Sequence, residues 1–350
     1  MGLHTPRRTL AAMISMVVLV GACSSSATPA PASSAPATPE AGATEAAATP
    51  AATTKKLTIG YVALDPSSVY AQQEANADKA AFAAEGWDVI EINAQGDPTK
   101  ASAAMETLVS RKVDAIVVET FAANQINAGL KAANAANIPV FKAAAGGVGP
   151  GEAGAVSIIL SPVINDLYLE EMQGKKVELL ELVYTPGEPC RVRFEELNKV
   201  VDTMPNVSTT KHDFQIPGQV EQSQKLTSAW LSAHPEKADT TYMIWACYAD
   251  PAIGAIAAEN QQQRGPYFMY TWDLTNPTVQ AIRDGTLDGT AILLPPGDAE
   301  ILTQMIKDYM STTASGGTWT PQSVDGGTVI VTKDNIDRVL QENPWVLTGQ

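Results

Sequence analysis

Apolar positions recur along this chain in two alternating spacings. Residues 57–63 form a short apolar run of the kind a buried strand shows, residues 69–85 follow with alanine-rich helical spacing that stops at Gly86, and residues 88–93 return to a strand pattern. Residues 98–111 then read as a helix, 115–119 as a strand, 124–136 as a helix and 139–142 as a strand. A β-α-β-α-β series of this kind predicts a parallel sheet with right-handed crossovers and helices on both faces. Its ligand site is expected beyond the carboxyl ends of the strands. After a glycine-rich break at 146–154 the alternation resumes, with strands at 176–182, 209–214, 242–245, 267–271 and 290–293 and helices at 193–204, 220–234, 252–262 and 277–284. Two α/β series in one chain predict two similar lobes facing each other across a cleft.

Three helix entries carry an acid or amide directly before proline: Asp97-Pro98, Asp250-Pro251 and Asn276-Pro277. Such a side chain caps the free N–H groups of the first turn while proline occupies it, so all three are expected as caps. Asp250 is also a cleft candidate, because it follows a strand end rich in aromatics.

The first 54 residues carry neither spacing. Arg7-Arg8 precede an apolar run of 13 residues at 10–22, too short for a bilayer core that needs roughly 20. The run ends in Val20-Gly21-Ala22 before Cys23. This arrangement resembles the lipobox of bacterial lipoproteins, which implies that residues 1–22 are a signal peptide and that Cys23 becomes a lipid-modified N-terminus. An ordinary secretory signal followed by a chance cysteine is the alternative. The paired arginines also suggest twin-arginine export, but no matching apolar pair follows closely, and the general secretory route is favoured. With Cys23, residues 24–54 make a stalk: alanine, proline, serine, threonine and glycine with two glutamates bury too little to offset the entropy of ordering.

Charge narrows the partners. The net charge of −15 falls entirely on the part from Lys55 onward, which holds 21 basic and 36 acidic residues. That balance excludes nucleic acid and a bare anionic membrane as partners. No Gly-x-Ser-x-Gly elbow, His-Glu-x-x-His or phosphate loop is present, and of His4, His212 and His234 the first lies in the signal. Gly146-Gly147-Val-Gly149 reads as a flexible loop rather than a dinucleotide fingerprint. An enzyme is not expected, and no cofactor or metal is implied.

Several motifs stand in a recognisable order. Lys56-Leu-Thr-Ile-Gly-Tyr-Val62 opens the folded part, Gly96-Asp-Pro-Thr-Lys100 precedes a helix ending at Val113-Asp-Ala-Ile-Val117, and Ala135-Ala-Asn-Ile-Pro-Val140 follows. Later come Leu231-Ser-Ala-His-Pro235, Tyr270-Thr-Trp-Asp273 and Ala281-Ile-Arg-Asp-Gly285. Together they resemble the type I periplasmic binding proteins, in particular the ribose-binding-like group that delivers sugars to ABC importers. The resemblance implies an α/β fold of two Rossmann-like lobes with parallel sheets, joined by three crossing hinge segments near residues 159–163, 293–297 and 324–328. The N-terminal lobe would then comprise 55–160 with 294–324, and the C-terminal lobe 161–293 with 325–350. Closure around a small-molecule solute would be read by an ABC permease and its ATPase, with a monomeric protein held to the outer face of the membrane by its lipid. A sensor for a membrane receptor is the alternative of a different class.

Site residues carry over by position. The loop after the first strand puts Asp65, Ser68 and Tyr70 in the cleft. Where the family holds sugar hydroxyls with an Asp-Arg pair, Lys142-Ala143 stands instead. The arginine after the first strand of the second lobe matches Arg191, with Arg193 expected in a surface ion pair with Glu195 or Glu196. Tyr248 replaces an asparagine, Trp272-Asp273 matches a Phe-Asp pair, and Leu293 replaces a glutamine. Aromatic faces at Tyr70, Trp245, Tyr248 and Trp272 suit the apolar face of a sugar or a planar ring, while Arg191 and Asp273 supply charged hydrogen bonds. Trp245 lies within its strand and suits the core equally well. These replacements make the pocket less hydrophilic and favour a ligand more apolar or aromatic than a free pentose, including a non-sugar such as an aromatic compound, nucleoside or small acid. Cys190 and Cys247 follow strands expected to be neighbours, which leaves a disulfide at the cleft rim or two separate thiols.

Overall fold

The computed structural model describes residues 56–159 and 161–348. Cys23, the expected signal peptide and the stalk lie outside the described residues. The chain begins with β1 (Thr58–Ala63), α1 (Val69–Ala84), β2 (Asp88–Asn93), α2 (Pro98–Ser110), β3 (Ala115–Glu119), α3 (Asn127–Ala135), β4 (Val140–Ala145) and β5 (Gly154–Ser157). There follow α4 (Ser161–Met172), β6 (Val177–Val183), α5 (Glu188–Val201), β7 (Val207–Asp213), α6 (Gln219–Ala233), β8 (Thr241–Ala246), α7 (Ala249–Gln262), β9 (Tyr270–Trp272), α8 (Asn276–Asp284) and β10 (Gly289–Leu293). Then come α9 (Pro295–Ala314), β11 (Gln322–Asp325), β12 (Thr328–Thr332), α10 (Ile336–Glu342) and α11 (Trp345–Thr348).

The first sheet is parallel, in the order β11-β5-β4-β3-β1-β2. Its central strands are buried on both faces, which is why β1 and β3 read as nearly continuous apolar runs and β4 as one interrupted only by Lys142. Alternate side chains feed two cores. Ile59, Tyr61 and Ala63 join Phe82, Leu302 and Ile306 on the α1 and α9 side, and Val62 and Leu64 join Met105 and Leu108 on the other. Gly60 sits under α2, where an added Cβ would come within 2.8 Å of Leu108, so glycine sets the close approach of helix to strand.

The second lobe sets β7-β6-β8 beside β9-β10-β12, with a single bridge between Met243 and Phe268 joining the two halves. The Tyr168 side chain of α4 fills the interrupted ladder: its hydroxyl lies 2.6 Å from the Ile244 carbonyl and accepts from the Tyr270 N–H at 2.9 Å. One strand departs from the all-parallel expectation. β12 runs antiparallel to β10, pairing Leu293 with Thr328. β10 ends at the cleft, and the chain comes back from β11 through Gly326 and Gly327 at that same end, so β12 must start where β10 stops. A Cβ at Gly326 would collide with the Asp298 carboxyl.

The structure corrects several expectations. The break at 146–154 ends in strand β5, whose four residues, Gly-Ala-Val-Ser, are too few to show a period. Helix α5 starts at Glu188 rather than 193, with Gly187 as its cap and Pro189 in the first turn. Asp97 caps α2, accepting from the N–H groups of Thr99 at 2.7 Å and Lys100 at 3.3 Å. Asp250 does not cap: it lies inside α7 and accepts from Gln219 at 2.9 Å. At α8 the cap is Thr275 rather than Asn276.

Candidate functional site

The carboxyl ends of both sheets face one another, and polar fastenings cross between them. Lys142 of β4, fully buried, donates to Glu188 Oε2 of α5 at 2.5 Å, and the Gly146 N–H reaches the same oxygen at 3.1 Å. The Glu188 N–H in turn donates to the Thr120 carbonyl at 3.1 Å. Glu152 lies 3.7 Å from Lys142, and burial pushes its carboxyl up to about 6 against the pull of Lys142. Elsewhere the Tyr184 hydroxyl donates to the Gly96 carbonyl, and Gln219 Nε2 donates to the Ser67 carbonyl at 2.8 Å.

Between these fastenings the lobes line a pocket with about 40 Å³ of internal space, room for about three waters. Admitting a larger solute requires the lobes to part. The first lobe lines it with Leu64, Ser68, Tyr70, Ala71, Thr120 and Ala144, with Ile158 at the crossing, and the second with Tyr184, Pro189, Cys190, Arg193, Ile216, Tyr248 and Asp273. Three of these, Thr120 (φ 68°), Ala144 (φ 46°) and Asp273 (φ 74°), hold left-handed backbone conformations. Each stands at or just beyond the end of a strand that points at the cavity, and such strain in non-glycine residues gathers at functional sites.

Arg193 is the organising cation. Its Nε donates to the Ile159 carbonyl at 2.9 Å, Nη1 to the Cys247 carbonyl at 3.0 Å and Nη2 to the Ile158 carbonyl. The guanidinium lies over the Trp272 ring, 4.4 Å from its centre. Three of its five N–H groups are thereby used. Burial lowers Arg193 to about 10, opposed by Asp273. Burial likewise pushes Asp273 up to about 7, opposed by Arg193. The Tyr248 hydroxyl lies beside Ser68 without hydrogen-bond geometry, leaving a buried polar group open to a ligand.

The sequence-based candidates divide on this geometry. Ser68, Tyr70, Tyr248 and Asp273 meet at the cavity. Trp272 lies beneath Arg193, and Leu293 packs behind the wall with Tyr70, Ala144 and Ile158. Asp65 lines a separate cavity of about 70 Å³, where it accepts from the Ser67 N–H at 2.8 Å and Asn93 Nδ2 at 3.2 Å. Lys142 and Asp250 are outside the lining, held by Glu188 and Gln219. Trp245 is core, its Nε1 donating to Asn165 Oδ1 at 3.1 Å.

The arginines are exchanged relative to expectation. Arg191 faces solvent and pairs with Glu195 at 3.2 Å, while Arg193 enters the cavity. The reason is helical phase: once α5 starts at Glu188, residues two apart point about 200° away from each other. Thr120, Tyr184 and Ile216 escaped the sequence reading. Tyr184 directly follows β6, a strand end of the kind where ligands gather, so a signal was present. Cys190 and Cys247 form a disulfide with Cα atoms 5.1 Å apart, tying the first turn of α5 to the end of β8. Among the described residues no group of His, Cys, Asp and Glu side chains is placed to hold a metal ion.

Comparison with known proteins agrees with this architecture. Residues 59–314 match the family described as periplasmic binding protein domain. A segment of 87 residues is 38% identical to the ABC transporter periplasmic-binding protein YphF of Escherichia coli strain K12, covering 25% of this chain and 27% of that protein. An ABC transporter solute-binding protein from Agrobacterium vitis with bound allitol is similar with a TM-score of 0.70 at 22% identity, over 82% of this chain and 99% of that one. The arabinose ABC transporter component of Shewanella sp. ANA-3, bound to L-arabinofuranose, gives 0.68 at 18% identity over 81% and 95%. An ABC sugar transporter subunit from Rhodobacter sphaeroides gives 0.68 at 22% identity over 80% and 99%.

Proposed function

The chain belongs to the periplasmic binding protein domain family, and from that premise we propose that it is the extracytoplasmic solute-binding component of an ABC importer, closing its lobes around a small sugar or polyol. The observation that carries this reading is the cavity at the facing strand ends, where Arg193, Asp273 and the Tyr248 hydroxyl converge from one lobe on Ser68 and Tyr70 of the other. Charged donors and acceptors of this kind fix the hydroxyls of a small polar solute, and aromatic side chains cover its apolar edges. The named ligands of structural neighbours, allitol and L-arabinofuranose, point to the same class. Closure joins the lobes through Lys142 and Glu188 and forms the surface a permease and its ATPase would read. Lipidation at Cys23 would hold a monomeric clamp at the membrane.

Leu64, Ile158, Pro189 and Ile216 give the lining a large apolar share, which favours a solute with one unhydroxylated side, such as a deoxy sugar, and keeps an aromatic solute as the second reading. A thermal-shift panel of sugars, polyols, nucleosides and aromatic acids decides between them. A solute present at 100 times its dissociation constant stabilises the protein by about 2.7 kcal/mol. Stabilisation by aromatic acids with none by any carbohydrate would refute the sugar reading.

A further inference from the structure

Behind the cleft wall the first lobe buries a set of acids. Tyr70, Glu74 and Asp78 stand one turn apart on α1, all buried; Asp298 approaches from α9, and Tyr61 and Glu119 from β1 and β3. The charged groups acting on Glu74 are Asp78, Asp298 and Glu119, acids without exception, and Tyr70 is its hydrogen-bond partner. Lys79 acts on Glu119 and is itself engaged by Glu91 at 2.7 Å.

Geometry favours retained protons in this group. The Tyr61 hydroxyl is 2.8 Å from both Asp78 Oδ2 and Glu119 Oε1. A hydroxyl has one proton to donate, so two full-strength bonds at this distance are best satisfied when one of these carboxyls carries a proton and donates it back. At the cavity end, the Tyr70 hydroxyl is 3.1 Å from Glu74 Oε2, while Glu74 Oε1 is buried without a partner. An ionised carboxylate with one bare oxygen among three other acids is strongly disfavoured; the neutral acid is not. Burial, reinforced by Asp78, holds Glu74 well above the usual carboxylate range.

We propose that Glu74 is protonated at neutral pH and acts as a positioning residue: it donates to the Tyr70 oxygen, which turns the Tyr70 proton into the cleft toward an acceptor oxygen of the solute. This rests on the solute-binding reading above. Ionisation of Glu74 reverses the bond, because Tyr70 then donates to the carboxylate and presents only lone pairs to the cleft. The solute class is therefore one that places an unprotonated oxygen, such as a sugar ring oxygen or a carbonyl, against Tyr70. Its capture weakens as pH rises through the titration of Glu74.

Infrared spectroscopy of the protein and calorimetric titration with L-arabinose, each from about pH 5 to about pH 9, test this in wild type, Glu74→Gln and Tyr70→Phe. The expected result is a protonated-carboxyl absorption at neutral pH that is diminished in Glu74→Gln. Wild-type affinity should fall up to about tenfold per pH unit above the Glu74 titration. Glu74→Gln, which keeps a donor toward Tyr70, should bind as tightly as wild type at low pH and show a shallower slope, the remainder belonging to Asp273 of the cavity; Tyr70→Phe should bind weakly at every pH. A carboxyl absorption unchanged by Glu74→Gln, or the same pH slope in Glu74→Gln and wild type, overturns the proposal. Failure of the whole sugar and polyol panel would instead remove the solute reading, and the infrared comparison would still decide the state of Glu74.

Discussion

Lys142 Nζ in the first lobe lies 2.5 Å from Glu188 Oε2 in the second, with the lysine side chain fully buried and the glutamate side chain 17% exposed. Removing one member of a buried pair costs about 3–5 kcal/mol when the other stays buried. Here the lobes can part and rehydrate Glu188, so Lys142→Met should act as an opening mutation, with a further loss of stability from Glu152, which stays buried in the first lobe. Small-angle scattering should show a larger radius of gyration for the variant than for wild type, both free of solute. Identical scattering would mean that the pair does not hold the lobes together.

Arg191 and Arg193 are two residues apart and should behave oppositely. Arg193→Ala leaves the carbonyls of Ile158, Ile159 and Cys247 without their donor, at about 1–3 kcal/mol for each that stays buried and unsatisfied. It should lose binding of the best sugar in the panel and lower the melting temperature. Arg191→Ala removes an exposed pair and should change stability by less than about 0.5 kcal/mol with binding intact. Equal effects from the two substitutions would contradict the assignment.

The Cys190–Cys247 bridge closes a loop with a sequence separation of 57. Chain entropy predicts about 4 kcal/mol of stabilisation for a loop of that length. The double substitution to serine should lower the unfolding free energy by an amount of that order in urea titration. It should also weaken solute binding, since Cys190 lines the cavity. Unchanged unfolding would show that the bridge does not form.

Buried acids give this protein an unusual pH dependence. Burial pushes Asp273, Glu119 and Asp298 each up to about 7 and Asp250 up to about 6. An unfolded carboxyl titrates near 4, so between those values the folded state holds protons that the unfolded chain has released. Stability contributed by these groups is full below about pH 4 and is lost as pH rises through about 7, by up to about 1.4 kcal/mol per pH unit for each group. Calorimetry should find the melting temperature falling from about pH 5 to about pH 8. A flat or rising line would mean that these acids are hydrated.

The cleft was partly legible in the chain. Ser68, Tyr70, Tyr248 and Asp273 carry over by position from the family that the motifs resemble, and they stand beyond strand ends, where ligands gather. Arg193 was misplaced because its direction depends on where α5 begins, a matter of phase that the Gly187-Glu188-Pro189 start signals but that apolar spacing does not. Glu74 and Asp78 read as ordinary polar positions of an alanine-rich helix. Nothing local marks them as buried, since α9, which covers that face, arrives more than 200 residues later.

Local pattern alone sufficed for most of the alternation of strand and helix, because strands buried on both faces and helices buried on one leave periodic signatures over a few residues; it passed over α4 and α9. Pairing across distance left no such mark. The partner of Lys142, the reversal of β12 and the protons shared among Tyr61, Asp78 and Glu119 depend on which segments the crossings bring together. Burial and electrostatic energy are properties of those assembled neighbours, and a side chain's own place in the sequence does not carry them.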